Sequence, residues 1–532
     1  IPELASALTP TSDYQLATKK YVDDNAGSGG GSGSFDPDSD VSLNKSLIVA
    51  GDALFGGTFD RVTGSTISLS FGANPTTTDL GDFGAFAISN YTTTGGGTDT
   101  LMNGSDSHIG ETLAISDDGT IVAIGAPQAK FSNYNRLGYV EIQQYSSGSW
   151  SRIGLLVGND TMTNINFGSA IALNGAGTIL AVATMSNFVQ VFEYSSGSWS
   201  QIGSDIDGVG RIGDKHGTIS LNTAGTILAI GNRYANDNTG VARVYEYSSG
   251  DWSQLGSDID GEAGNDYFGR VSLNSSGSIL AVGGEYNDGN GGNSGHVRIF
   301  EYSGGSWSQL GSDIDGAAGG DLLGSSVSMN SDGTIVAIGG PSNDDSGANA
   351  GHVQVYEYSG GSWSQLGSDI DGDGDRDSFG TSVSLNASGN TVLIGASETW
   401  DGTGNQLGYV KMYHYSSGSW AQVGDKQVGT HSKDTAGVAV ALSKNDSIAI
   451  YGASWYSTDI VDVGSAHTFQ VESTKVSVNS TSSSRGLVGI GVSSPTCEVD
   501  ISGNMKVSGN TNTTSLIVSS SAIMPISTPS SA

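Results

Sequence analysis

Cysteine is almost absent from this chain of 532 residues, which contains Cys497 alone. No disulfide can therefore form within the chain. Long apolar runs are also missing, since no stretch approaches the roughly 18 residues that a membrane helix requires. No secretory signal is visible either, and membrane insertion is not expected.

Basic residues are scarce, at 21 Lys and Arg against 54 Asp and Glu, which gives a formal charge of −33. Such a chain repels phosphate backbones, so nucleic-acid binding is not expected. Charged residues make up only 14% and hydrophobic residues 36%, a composition that can bury large cores and is not that of a disordered chain. The 81 glycines, spread among Ser, Asn and Thr, indicate many short strands joined by tight turns.

One degenerate unit recurs along the chain at a spacing of roughly 50 to 58 residues. Each copy opens with a glycine, and six copies carry a tryptophan near their end. The leading glycines are Gly110, Gly168, Gly217, Gly269, Gly324, Gly380 and Gly437, and the tryptophans are Trp150, Trp199, Trp252, Trp307, Trp363 and Trp420.

Each copy predicts four strands, named a to d, of the types 326–330, 334–338, 353–358 and 363–366. Strand b is apolar at successive positions, which indicates burial on both faces. A sheet packed between two other sheets provides that environment. Seven four-stranded units favour a closed ring over a solenoid, so the sequence predicts an all-β, seven-bladed β-propeller over residues 97–474.

The seventh copy, from Gly437 to about Thr474, lacks a tryptophan strand. Residues 98–103, just before the first copy, resemble the end of a strand d. We therefore expect residues 98–103 to supply the outer strand of blade 7, beside Phe469–Val471, and so to close the ring.

The phrases Phe379–Val383, Ile124–Pro127 and Gly351–Val355 resemble the FG-GAP repeat of integrin α-chain propellers, over about 370 residues. The resemblance implies the propeller fold. That family binds calcium in a loop between its Phe-Gly and Gly-Ala-Pro strands, where this chain has short turns such as Ser116–Thr120. The family's calcium ligands therefore do not carry over.

The flanks resemble segments of viral fibres. Asp13–Ala26, a short predicted helix, is similar to the start of many bacteriophage tail-fibre proteins, and a Gly/Ser linker follows it to residue 34. Asp40–Asp52, in a β-rich stalk over 35–96, and Gly486–Gly503, in a β-rich module over 475–532, are similar to parts of phage and large algal-virus fibres. These resemblances imply a virion-surface homotrimer held by its flanks and joined to other virion proteins by its N-terminus.

Catalytic patterns are not found in the sequence. None of the seven histidines has a metal-ligand spacing, and a structural role is expected for the repeat-equivalent His296 and His352. A polysaccharide-degrading propeller would need a pair of central carboxylates, and none stands out. The chain is expected not to be an enzyme. The alternatives left open are a purely structural fibre or bacterial surface adhesin and, third, such an enzyme.

One acidic run departs from the other copies. Carboxylates alternate with other residues at Asp369, Asp371, Asp373, Asp375 and Asp377, and two intervening glycines permit a tight wrap. Hard cations prefer such oxygen ligands, so calcium binding is predicted here. A solvated acidic turn is the alternative.

Recognition is predicted on the face that carries the b–c loops and the d–a connections, including the Asp-Ile-Asp-Gly segments. The b–c loops are long and differ between copies, and variable loops on a rigid scaffold commonly carry recognition. A host glycan or receptor is the expected partner. The predicted contact residues are Tyr286, Asn287, Asp288, Asn343, Asp344, Trp400 and Asp401.

Overall fold

The computed structural model describes residues 107–470 with gaps at 132–134, 159–164, 186, 208–218, 399–405, 430–432, 455–456, 459–460 and 463, and strand residues alone outside that range. The predicted helix at Asp13–Ala26, the Gly/Ser linker and Cys497 lie outside the described residues. The chain forms two compact units, residues 88–472 and residues 1–87 with 473–532.

Strands between Ala85 and Thr474 form the predicted seven-bladed propeller of four-stranded antiparallel sheets. Strands a to d of blade 1 are Thr112–Ile115, Ile121–Ala126, Tyr139–Ser146 and Ser149–Val157. Those of blade 2 are Ala170–Leu173, Ile179–Ala183, Phe188–Ser195 and Ser198–Gln201. Those of blade 3 are Ile219–Leu221, Ile227–Asn232, Val241–Ser248 and Asp251–Gln254. Strands a to d of blade 4 are Phe268–Leu273, Ile279–Gly284, His296–Ser303 and Ser306–Gln309. Those of blade 5 are Ser326–Met329, Ile335–Gly340, His352–Ser359 and Ser362–Gln365. Those of blade 6 are Phe379–Leu385, Thr391–Ala396, Tyr409–Ser416 and Ser419–Val428.

Blade 7 combines the two ends of the propeller. Its strands a to c are Val440–Leu442, Ile448–Ala453 and Ser465–Thr474, and its strand d is Ala85–Thr93, here called the clasp strand. The prediction that residues 98–103 form this strand is wrong, although the principle of closure is confirmed. The physical reason is strand propensity, since the clasp strand contains Phe86, Ile88 and Tyr91, whereas residues 98–103 include Asp99 and Asn103. Residues 98–103 lie outside the described residues.

Short elements complete the propeller. Two hairpins lie in b–c loops, Lys130–Phe131 with Asn135–Arg136 and Ser457–Thr458 with Val461–Asp462. Ala235–Asn238 forms a single tight turn with left-handed backbone at Asn236, Asp237 and Asn238.

The Asp-Ile-Asp-Gly segments belong to the outer edge of the blades rather than to a loose connection. In blades 2 to 5 the outer strand breaks and then resumes, pairing with the start of strand c at Ile206–Asp207, Ile259–Asp260, Ile314–Asp315 and Ile370–Asp371. The isoleucine of each segment is buried. Burial of this side chain explains why the segment recurs.

A ring of backbone hydrogen bonds joins all seven a–b turns. The amide of one turn donates to a carbonyl of the next at 2.9–3.2 Å, and the amide of Asn445 closes the circuit on the carbonyl of Asp117. The linked residues are Asp117, Gly175, Thr223, Ser275, Ser331, Ala387 and Lys444. Each turn is itself held by a side chain of strand a: in blades 2 to 6 the oxygen of an asparagine, such as Asn330, accepts from two backbone amides.

The recurring glycines permit neighbouring blades to touch. A Cβ atom at Gly339 would lie 2.0 Å from the carbonyl oxygen of Gly380, and one at Gly452 would lie 1.9 Å from that of Gly110. The second pair joins blade 7 to blade 1. Alanine at either position would force the blades apart, so the glycine pattern follows from interblade packing.

The repeat tryptophans also connect the blades. Each stacks on the tyrosine opposite it in strand c, with ring centroids 5.1–5.3 Å apart. Nε1 of Trp363 donates to the carbonyl of Leu310 in the preceding blade at 2.8 Å, and Nε1 of Trp150 donates to Thr468 of blade 7 at 3.1 Å. Within the described residues, Nε1 of Trp252 has no hydrogen-bond partner.

Substitution of phenylalanine at two tryptophan positions should distinguish the contribution of ring packing to stability from that of the indole hydrogen bond. We expect Trp363→Phe to destabilise the propeller by about 1 kcal/mol more than Trp252→Phe, because the first change also removes an interblade hydrogen bond. Urea unfolding of the two variants measures the difference. Equal losses of stability would contradict it.

The second unit contains strands from both flanks. Leu47–Ala50 lies between Val499–Ile501 and Ser515–Val518 in a six-stranded sheet that also includes Val476–Ser480, Gly486–Ile490 and Ala522–Met524. Leu54–Gly56 pairs with Asn510–Asn512. The stalk region and the C-terminal module therefore pair with each other within one chain.

Candidate functional site

The b–c loops and the segments that follow strand d meet on one face of the propeller, here called the loop face. In blade 5 the amide of Arg376 donates to the carbonyl of Ala348 at 2.8 Å, and in blade 4 the amide of Gly320 donates to that of Asn293 at 3.2 Å. The predicted sharing of a face is confirmed in these two blades.

Four of the predicted contact residues shape the loops of this face. Asn287 and Asn343 are buried, and the amide oxygen of each accepts from a backbone amide two residues on, at 2.7 and 3.0 Å. Asp288 and Asp344 are exposed, and each accepts from the backbone amide five residues on, at 2.7 Å. The buried amides thus hold the loop rather than face a ligand. Trp400 and Asp401 lie outside the described residues.

Tyr286 belongs to a cluster of three half-buried tyrosines. Its ring centroid lies 5.1 Å from that of Tyr267, which lies 5.8 Å from that of Tyr234. The guanidinium of Arg233 lies over the rings of Tyr234 and Tyr267, at 5.5 and 5.1 Å from their centroids. These geometries suit edge-to-face ring packing and cation–π attraction.

A buried ion triad lies beneath the tyrosines. Glu285 accepts from Nη2 of Arg233 through one carboxylate oxygen and from Nε of Arg270 at 3.2 Å through the other. All three side chains are at most 10% exposed. Two guanidinium groups thus bind one carboxylate, in a chain with few basic residues. The tyrosines and the triad together are called the Tyr–Arg cluster.

The repeat itself holds the signal that would have revealed this cluster. Arg233 with Tyr234 and Glu285 with Tyr286 follow strand b in blades 3 and 4, where blades 1 and 5 have Pro127 and Pro341. Charged–aromatic pairs at equivalent positions of adjacent copies are a departure from the repeat. Of these residues the sequence prediction included Tyr286 alone, because loop length, which carried that prediction, does not single out the others.

Tyr267 has a left-handed backbone, with φ of 55°. In five other blades the residue two positions before the leading glycine has the same left-handed backbone. These residues are His108, Asn166, Leu322, Ser378 and Thr435. This conformation is unfavourable for residues other than glycine, but its recurrence shows that the fold imposes it. The scaffold sets the backbone, and blade 4 alone among these positions places a tyrosine on it.

The aspartate run of blade 5 is divided among separate partners. Asp373 pairs with Nζ of Lys411 and, at 2.9 Å, with Nζ of Lys426. Burial favours the neutral carboxyl, but hydrogen bonds from both lysines outweigh it and lower the pKa of Asp373. Asp377 accepts from the hydroxyl of Tyr409 at 2.9 Å and from two backbone amides.

The other members of the run point to different groups. Asp375 accepts from the amide of Ala348 at 3.0 Å, and Asp369 accepts from the side-chain amides of Gln354 and Gln365. Burial and the neighbouring carboxylate of Asp369 raise the pKa of Asp371. Calcium binding by the run stays a prediction. These contacts occupy oxygens of Asp373, Asp375 and Asp377 without bringing all five carboxylates to one point.

The fold and the site define a seven-bladed β-propeller with a polar, aromatic cluster on its loop face. No protein-family model matches the chain, and no curated protein is significantly similar to it. Among the residues with a described structure, no helix is long and apolar enough to cross a membrane.

Proposed function

We propose that this chain is a viral fibre or spike protein that displays its propeller at the virion surface for attachment to a host-cell glycan. The flanks, with their resemblance to fibre segments, would hold a homotrimer, and the N-terminus would join other virion proteins. The propeller would present its loop face to the host.

The observation that carries the proposed attachment role is the Tyr–Arg cluster. Half-buried tyrosine rings offer apolar faces on which the C–H faces of a sugar stack, and their hydroxyls donate and accept hydrogen bonds. The buried guanidinium of Arg233 packs against two of these rings and so fixes their orientation. The rigid blades fix these groups in advance, which reduces the entropy lost on binding.

Truncation of a cluster tyrosine should weaken glycan binding. On an array of immobilised neutral and acidic glycans, we expect Tyr286→Ala or Tyr234→Ala to weaken binding by about tenfold or more, as for a tyrosine hot spot. Tyr302→Ala is the matched control. Tyr302 is also half-buried and stacks on one aromatic ring, that of Trp307, but it lies at the c–d end of blade 4.

Binding that survives both cluster variants and is lost in Tyr302→Ala would place recognition on the opposite face. Absence of binding to any glycan by the folded wild-type chain would favour a purely structural fibre. Turnover of an arrayed polysaccharide would instead favour the enzyme alternative.

A further inference from the structure

Two repeat-equivalent histidines begin strand c in blades 4 and 5. His296 and His352 have side chains that are 0% exposed. In the part of the chain that the structure describes, neither ring nitrogen of either histidine has a hydrogen-bond partner. A buried polar group without a partner is unfavourable, and a ligand bound to the imidazole would remove that cost.

The two nitrogens of His352 face different surroundings. A Cβ atom at Gly340 would lie 2.8 Å from Nε2, so this side of the ring packs closely on backbone. Nδ1 lies 3.3 Å from a carboxylate oxygen of Asp369, without the direction of a hydrogen bond. The imidazole is therefore directed at acidic groups through Nδ1.

A second carboxylate completes the group in blade 5. One ligand atom each from Asp345, His352 and Asp369 lies within 4.8 Å of the others. Asp345 comes from the b–c loop and Asp369 from the outer edge of the blade, so the topology brings all three to the loop face. Carboxylates and an imidazole at this separation match the ligand set of a borderline divalent ion.

Blade 4 contains a related group with two differences, since its second carboxylate, Glu262, follows strand d of blade 3 instead of lying in the b–c loop, and an arginine lies beside it. Nδ1 of His296 lies 4.0 Å from Glu262 and 3.8 Å from Asp313. The guanidinium of Arg298 lies 3.8 and 3.9 Å from the same carboxylates and neutralises part of their charge. The equivalent residue in blade 5 is the uncharged Gln354, which donates to Asp369.

We propose that His352, Asp369 and Asp345 bind one divalent transition-metal ion of the zinc class, through Nδ1 and one oxygen of each carboxylate. A cation at this point satisfies the buried nitrogen and offsets the repulsion between the two acids. Arg298 takes the place of the ion in blade 4. Imidazole ligation distinguishes this site from the oxygen-ligated calcium site predicted for the aspartate run. The inference does not depend on the proposed function.

Zinc titration of the metal-stripped full chain by isothermal calorimetry tests the site. We expect one high-affinity Zn²⁺ per chain, with affinity reduced at least about tenfold in His352→Gln and Asp369→Asn, since even loss of an outer-sphere partner commonly costs that much. His296→Gln, the matched control in blade 4, should leave binding unchanged. Excess Ca²⁺ should not displace the zinc.

Two further variants keep the test decisive if His352→Gln fails to fold. Asp345→Asn changes an exposed side chain and should weaken zinc binding. Arg298→Gln should create a second zinc site in blade 4, because it removes the competing charge. Undiminished affinity in Asp345→Asn and Asp369→Asn, or equal losses in His296→Gln and His352→Gln, would overturn the proposal.

Discussion

Paired prolines in the clasp strand, Ile88→Pro with Ser89→Pro, are expected to lower the melting temperature of the chain by about 5–10 °C. Adjacent strand residues direct their amides to opposite sides, so one of the two prolines removes a hydrogen bond to strand c of blade 7 in either register. The rigid proline rings also prevent the flanking residues from pairing, so several ladder bonds are lost at about 1 kcal/mol each. At about 2 °C per kcal/mol in a large domain, this loss gives the expected shift. Differential scanning calorimetry measures the shift.

A Gly/Ser segment of equal length in place of residues 98–103 is the control for the clasp. Because the clasp strand ends at Thr93, this replacement should leave the melting temperature nearly unchanged. The reverse result, with a large loss for the 98–103 replacement and none for the prolines, would restore the position predicted from the sequence.

Removal of the carboxylate at the centre of the buried triad should have a comparable effect on stability. We expect Glu285→Ala to destabilise the propeller by about 3 kcal/mol, because the two arginines then lose their shared counter-charge in a buried setting. Glu246→Ala, on an exposed strand position, should cost less than about 0.5 kcal/mol. Urea unfolding of both variants gives the comparison.

Replacement of all three triad residues by apolar ones tests whether the loss in Glu285→Ala comes from buried charges without a counter-charge. Arg233→Met, Glu285→Leu and Arg270→Met together should recover much of the stability lost in Glu285→Ala, since apolar side chains of similar volume need no counter-charge. A triple variant less stable than Glu285→Ala, or a Glu285→Ala chain as stable as Glu246→Ala, would contradict this account. Glycan binding should be weakened in the triple variant even where stability is recovered.

The loop face and its residues were predictable to different degrees. Strand alternation alone placed the b–c loops and the ends of strand d together, as blade 5 shows where Arg376 bonds to Ala348. Composition could not distinguish Tyr286, which packs in a cluster, from Asn287, which is buried to hold its loop. Both are polar loop residues in the sequence, and only their neighbours in space differ.

The histidines show the same limit. Their equivalent positions were visible in the repeat, and a structural role was the expectation. Spacing could not reveal a metal-ligand set, because the carboxylates near His352 come from a loop before it and an edge strand after it. Blade 4 has the charged Arg298 where blade 5 has the uncharged Gln354. This difference affects the histidine sites only because folding brings both residues beside the carboxylates.

The sequence by itself determined the blade and the number of blades. Leading glycines permit close approach between sheets, and apolar strand b residues require burial on both faces, in all seven copies. The tryptophans mark the outer strand in six of them, so repeated local chemistry specifies the ring. Tertiary structure alone decided which segment closes it and which side chains form the Tyr–Arg cluster. An open sheet edge accepts any strand of suitable length, and residues 234, 267 and 286 meet only after the blades have packed. Such pairings are non-local, and no local pattern encodes them.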